Sequence, residues 1–132
     1  MMPSEARPDQ FDLSTFVAER VDRRTQLAAG ETLFLKGDAA GTMYVVLAGR
    51  IDVIVFGKVL DSIGRGGIIG EMALIDCTQR SAAALAQEEA TLVSFDRETF
   101  KLLIAEEPRF ALEVLAIMNA RLALYSRLHK RS

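Results

Sequence analysis

The sequence predicts an α+β fold that is mainly β: an antiparallel, jelly-roll-like β-roll with an N-terminal helix, a short helix within the roll, and two C-terminal helices. Three observations carry this expectation. Between residues 25 and 96 short apolar runs are broken by glycine or aspartate every several residues, the mark of short antiparallel strands. Before them Phe11, Leu13, Phe16, Val17 and Val21 recur at helical spacing. After them Asp96 stands as an N-cap and Pro108 as a first-turn residue, each ahead of a helical pattern.

The 132 residues suit one domain, and a hydrophobic fraction of 50% is ample for a core. Residues 1–24 form a polar end with Pro3 and Pro8 and then the first helix; 25–96 form the roll, and 97–132 a hinge and two helices. The expected strands are Thr32–Leu35, Met43–Leu47, Ile51–Phe56, Val59–Ile63, Ser81–Ala86 and Thr91–Phe95. Turns fall at 37–41, 48–49, 56–58 and 64–67, all glycine-bearing. Asp96 caps a helix from Arg97 to about Ala105, and Pro108 opens a second that runs to about His129. The break at Glu106-Glu107-Pro108 is a hinge candidate.

That last helix carries two apolar seams. Phe110, Val114, Ile117, Leu124 and Leu128 follow one, interrupted by Arg121, and Ala111, Leu115, Met118, Leu122 and Tyr125 follow the other. One stripe suffices for a helix lying on a roll. The second calls for another helix, either from a second copy of the chain, giving a homodimer, or from the N-terminal helix of the same chain.

Composition excludes several function classes. A net charge of −2 argues against a surface built for nucleic acid. The basic cluster Arg121, Arg127, His129, Lys130 and Arg131 suits the C-terminal end of a helix. The residues MMPSEARPDQ contain no apolar signal region, and the apolar run Met43–Ala48 is too short for a bilayer, so a soluble cytoplasmic protein without membrane contact is expected. One cysteine, Cys77, allows no internal disulfide, and one histidine, His129, allows no histidine-based metal site. No nucleophile stands beside a recognisable base, so neither catalysis nor a cofactor is expected.

The stretch from Gly66 to Ala84, GGIIGEMALIDCTQRSAAA, carries the chemistry. Its glycines let backbone approach a ligand, and Glu71-Met72-Ala73-Leu74-Ile75 is helix-forming material directly after Gly70. A helix N-terminus there offers free N–H groups and a positive dipole end to an anion. Arg80 adds a full charge with a donor fork that fits phosphate, and the Ser81 hydroxyl and N–H stand next to it. Glu71 would repel an anion unless it holds a hydroxyl, such as a ribose 2′-OH, or forms an ion pair with Arg80. Phosphate together with ribose makes the expected ligand a nucleotide.

These residues resemble the phosphate-binding cassette of cyclic nucleotide-binding domains, in which a Gly-Glu pair, an Ala-Leu pair and an Arg-Ser-Ala run recur; here they are Gly70-Glu71, Ala73-Leu74 and Arg80-Ser81-Ala82. Gly30-Glu31, Gly37-Asp38 and the run Leu47 to Val53 extend the likeness over roughly residues 25 to 128. Ile69 replaces a position that is often aromatic, and Gln79 one that is often proline. The resemblance implies a cyclic nucleotide, cyclic AMP or cyclic GMP, with its phosphate on Gly70, Glu71, Met72 and Ala73 and against Arg80, Ser81 and Ala82. Ser81 in place of threonine favours cyclic AMP. It also implies that the last helix closes as a lid, with Tyr125 and Ser126 where catabolite activator proteins carry hydroxyls that touch the base, and Arg127 able to stack on it. Tyr125 is equally an ordinary packing aromatic. These residues hold no helix-turn-helix, channel segment or kinase-inhibitor motif, so the listener is an unidentified effector protein. The alternative is a degenerate member that binds no nucleotide and serves as a dimerisation or interaction module.

Overall fold

The computed structural model describes residues 11–71 and 79–131, and in the last helix the side chains as far as Leu124. Asp12 opens α1 (Leu13–Arg20) by accepting from the Thr15 N–H, and the Ser14 hydroxyl bonded to it holds its carboxyl below the usual 3.8. Eight strands follow: β1 (Arg24–Leu27), β2 (Thr32–Phe34), β3 (Met43–Ala48), β4 (Ile51–Val55), β5 (Lys58–Ile63), β6 (Ile68–Ile69), β7 (Ala83–Ala86) and β8 (Ala90–Phe95). Two helices close the chain, α2 (Arg97–Glu106), capped by Asp96, and α3 (Pro108–Arg131).

The strands form two four-stranded sheets, ordered β1-β8-β3-β6 and β2-β7-β4-β5, with antiparallel pairing throughout. The first sheet is covered on both faces. Val45, Ile68 and Val93 face the helices, where Leu13, Phe16, Val17, Leu103, Phe110 and Val114 complete one core. Their neighbours Val46, Ile69 and Leu92 face the second sheet and form the other core with Leu27, Ile51, Ile63, Ala84 and Ala86. Burial on both faces is why β3 and β8 read as continuous apolar runs rather than alternating ones.

The expected antiparallel roll, N-terminal helix and two C-terminal helices are present, with three departures. Strand β1 has a single buried residue, Leu27, and β6 has only two residues, so neither makes a run long enough to announce itself. Strand β4 ends at Val55 because Phe56 turns into the left-handed region, φ 52°, ahead of Gly57. Strand β7 starts at Ala83 because the backbone from Arg80 to Ala82 belongs to the site described below. At Gly49, φ 86°, the β3–β4 turn presses on the β7–β8 turn so closely that a Cβ would lie 2.2 Å from the Glu89 carbonyl oxygen.

On α3 the first seam is the buried one. Phe110 is fully enclosed by Phe16, Phe95 and Phe100, and Val114 and Ile117 continue the contact. Helix α1 packs on this seam; of the second seam Met118 also packs against this core, while Leu115 and Leu122 are exposed by 60% and 66%. The break between the helices is pinned: Arg20 of α1 binds Glu106, and Arg109 binds Glu107 at 3.0 Å.

Phe110→Ala should cost about 3 to 5 kcal/mol of unfolding free energy, read as a lowered midpoint in urea, because three aromatic rings lose their common contact. Leu102→Ala, at a site exposed by 70%, should stay within about 0.5 kcal/mol of the parent.

Candidate functional site

The chain between β7 and the turn at 37–38 is tied together through the backbone of one residue. The Gly37 N–H donates to the Arg80 carbonyl at 2.8 Å, and the Arg80 N–H donates to the Asp38 carbonyl at 2.8 Å. The adjacent pair Ala39 and Gln79 forms an isolated antiparallel bridge. A turn read as mere punctuation therefore fixes where Arg80 leaves the backbone.

The Arg80 side chain runs inward and is 7% exposed. Its Nη2 donates to the Thr42 carbonyl at 2.9 Å and to the Thr42 hydroxyl at 3.3 Å. The guanidinium carbon lies 4.2 Å from the centre of the Phe34 ring and 5.8 Å from that of Tyr44. Cation–π attraction and the Thr42 bonds hold a charge that burial alone would expel. The Nε is buried without a hydrogen-bond partner among the described residues. A buried cationic donor with unused capacity is what an anion would complete.

Gly70 makes this packing possible. Its φ is 79°, and a Cβ there would lie 2.5 Å from Arg80 Nη1 and 3.2 Å from the Thr42 carbonyl oxygen. Any other residue would both strain the turn and displace the guanidinium. The same turn aims Glu71 toward α3, where its carboxylate binds Arg121. Arg121 also donates to the Ile68 carbonyl at 2.8 Å and lies 3.7 Å from the Asp61 carboxylate. Both side chains of the pair are largely buried, at 11% and 13% exposed.

Gly70, Glu71, Arg80, Ser81 and Ala82 together line one cavity of about 280 Å³. Phe34, Val53, Val55, Leu60, Ile63 and Ile69 give it an apolar wall, and Arg121 closes it from the helix side. A cavity that joins an apolar wall to one buried cation and one carboxylate suits a ligand with a flat apolar part, an anionic group and hydroxyls. Among the described residues no group of three metal-ligating side chains occurs, and no helix is long and apolar enough to cross a membrane.

The sequence expectations fare unevenly here. The five cassette residues above converge. Met72 and Ala73, Cys77, and the side chains of Tyr125, Ser126, Arg127 and His129 lie outside the described residues. A Glu71–Arg80 ion pair does not form, because Glu71 is turned to Arg121 instead. Arg121 itself corrects the reading of the basic cluster: it is not a solvated helix-end charge but an inward clamp. Its interruption of an apolar seam was the available signal. Phe34 and Thr42 carried no signal, since an aromatic at a strand end and a threonine in a turn are ordinary.

Residues 24–107 match the family model of the cyclic nucleotide-binding domain. The chain belongs to that family. This cyclic nucleotide-binding domain is 31% identical over 102 residues to a lysophospholipase, NTE1, of Chaetomium globosum, a match covering 74% of the chain and 7% of that much longer protein. It superposes on the catabolite activator protein of Thermus thermophilus with a TM-score of 0.74 and 26% identity, covering 96% of this chain and 60% of that one. A structure solved in work on a cyclic-GMP-dependent signalling pathway that regulates bacterial phytopathogenesis gives a TM-score of 0.70 and 28% identity, covering 93% and 95%.

The Glu71–Arg121 pair is the contact by which the domain's cavity grips its last helix. Arg121→Met should cost about 3 kcal/mol by leaving Glu71 buried without its counter-charge. In urea unfolding the double variant Glu71→Gln/Arg121→Met should recover about 1 to 3 kcal/mol of the summed single losses. Additive losses would mean that the two charges act independently.

Proposed function

We propose that this cyclic nucleotide-binding domain is a sensor for cyclic AMP in preference to cyclic GMP, signalling through movement of α3 to a partner protein. The observation that carries the reading is Arg80, a buried guanidinium with an unpartnered Nε at the wall of a cavity it shares with Gly70, Glu71 and Ser81. The cyclic phosphate would take the remaining Arg80 donors with Ser81 and Ala82, and with the backbone of Gly70 through Ala73. Glu71 would hold the ribose 2′-OH. A carboxylate has about four acceptor positions, so Glu71 can serve a hydroxyl while keeping Arg121. The base would lie on the apolar wall near α3, within reach of Tyr125, Ser126 or Arg127. Ser81 rather than threonine supports cyclic AMP, and the relatives include a catabolite activator protein. The cyclic-GMP-linked relative makes guanine the competitor to test.

Signalling follows as a population shift. A ligand that draws on Glu71 changes the charge balance around Arg121, and the position of α3 that suits the filled cavity gains weight. The domain acts by binding, with no catalytic step of its own. The exposed second seam at Leu115 and Leu122 supports pairing with α3 of a second copy.

The glutamate already paired to an arginine favours one other reading, a degenerate domain that closes its own cavity and serves for assembly. Titration calorimetry separates the two. Cyclic AMP should bind with a Kd in the micromolar range or tighter, and Arg80→Ala should weaken it by about 2 to 5 kcal/mol. Glu71→Ala should shrink the advantage of cyclic AMP over its 2′-deoxy analogue. Absence of heat and of thermal shift with millimolar cyclic AMP or cyclic GMP would establish the degenerate reading.

Sedimentation velocity tests the pairing. A dimer is expected for the parent chain, with Leu115→Glu/Leu122→Glu monomeric at equal thermal stability; a parent that stays monomeric with and without cyclic AMP refutes it.

A further inference from the structure

Against the sequence-based expectation of no membrane contact, we propose that the tip of the β4–β5 hairpin is a docking surface for an anionic lipid bilayer. Three unusual features coincide there. The two-residue turn is Phe56-Gly57, with φ of 52° and 74°, a geometry that suits Asn-Gly and strains a bulky side chain. The Phe56 ring is 87% exposed, so neither core nor cavity explains why a strained position carries an aromatic. Leu35, next in the chain to the Lys36 whose ammonium lies on the ring, and Val59, three residues past Phe56 in β5, are also exposed, by 56% and 58%.

Charge decides the occupant. The Lys36 ammonium sits 4.7 Å from the Phe56 ring centre, and Lys58 follows directly in the chain. Neither lysine has an acidic partner among the described residues. The nearest carboxylate in sequence, Asp38, is turned back to accept from the Leu35 N–H at 2.9 Å. The tip is thus locally cationic on a chain of net charge −2. An aromatic ring with two aliphatics and flanking lysines is the composition that settles at headgroup depth, the ring among the acyl ends and the ammonium groups on lipid phosphates and carboxylates. A protein partner would have to bring a pocket to a projecting turn, whereas a bilayer yields to it.

The test is co-sedimentation of the full chain with vesicles of phosphatidylcholine alone and with vesicles that also contain phosphatidylserine. The chain should partition only onto the latter, and the bound fraction should fall several-fold as salt rises from about 0.05 to 0.3 M, since the lysine term is screened. Phe56→Asn is the decisive variant. It relieves the turn, so its Tm should equal or exceed that of the parent, while vesicle binding drops at least fivefold. Lys36→Gln/Lys58→Gln should abolish the preference for phosphatidylserine. A parent chain that stays in the supernatant with both vesicle types, or a Phe56→Asn chain that sediments like the parent, overturns the proposal. So does a result in which poly-glutamate, and no vesicle, perturbs the hairpin signals in NMR, which would assign the tip to a protein.

Discussion

A guanidinium withdrawn from water must be held by its surroundings, and the way Arg80 is held organises one whole end of this roll. Its backbone is fastened to the 37–38 turn in both directions, its Nη2 to Thr42, and its flat face to Phe34. Those partners come from β2 and the loop before β3, while Arg80 itself stands in the loop before β7, so the two sheets meet at the cation. Gly70 completes the arrangement by having no side chain where the guanidinium lies. An uncompensated buried charge costs several kcal/mol, and cation–π contact with one hydrogen-bonded threonine offsets only part of that. The remainder is what a bound anion would offset.

The Glu71–Arg121 pair does a different job. Phe110 anchors α3 in the helix-facing core, and Arg121 anchors it again eleven residues later, about 16 Å along the axis. The first anchor is apolar and insensitive to any ligand. The second is ionic and ends on a residue that lines the cavity. Under the proposed function a ligand would act on α3 at one end only, by rotation or bending about the Phe110 contact. The Arg20–Glu106 and Arg109–Glu107 pairs lie on the surface at the α2–α3 break.

Legibility in the sequence follows from how local each feature is. Strands β3, β4, β5 and β8, the Asp96 cap and the Pro108 restart were readable because their signals sit within a few residues. Gly70, Glu71, Arg80, Ser81 and Ala82 stood out as a group by their chemistry and order, and they line one cavity. Strand β6 was not readable, because two isoleucines gain their strand character from β3 across the sheet. The Glu71–Arg121 pair spans fifty residues and depends on α3 returning over the roll, which no local pattern encodes. Phe34 and Thr42 became part of the site only through folding. The two seams of α3 were visible as a surplus of apolar surface, but which seam the chain itself would bury depended on where α1 packs.

The cost of the site bears on how the domain responds to a ligand. Arg80 keeps an unsatisfied donor, Glu71 and Arg121 are largely desolvated, and Gly70 holds a backbone conformation that gives up unfolded-state entropy. Each of these lowers the stability of the unliganded fold below what an apolar end of the roll would provide. A ligand that satisfies Arg80 adds its binding energy to folding by mass action, so stability and occupancy rise together. Helix α3 is attached to this polar end of the roll through Arg121. For the proposed sensor that coupling would matter more than a stable empty state, which would account for charged residues costly to bury standing where aliphatic ones would have packed better.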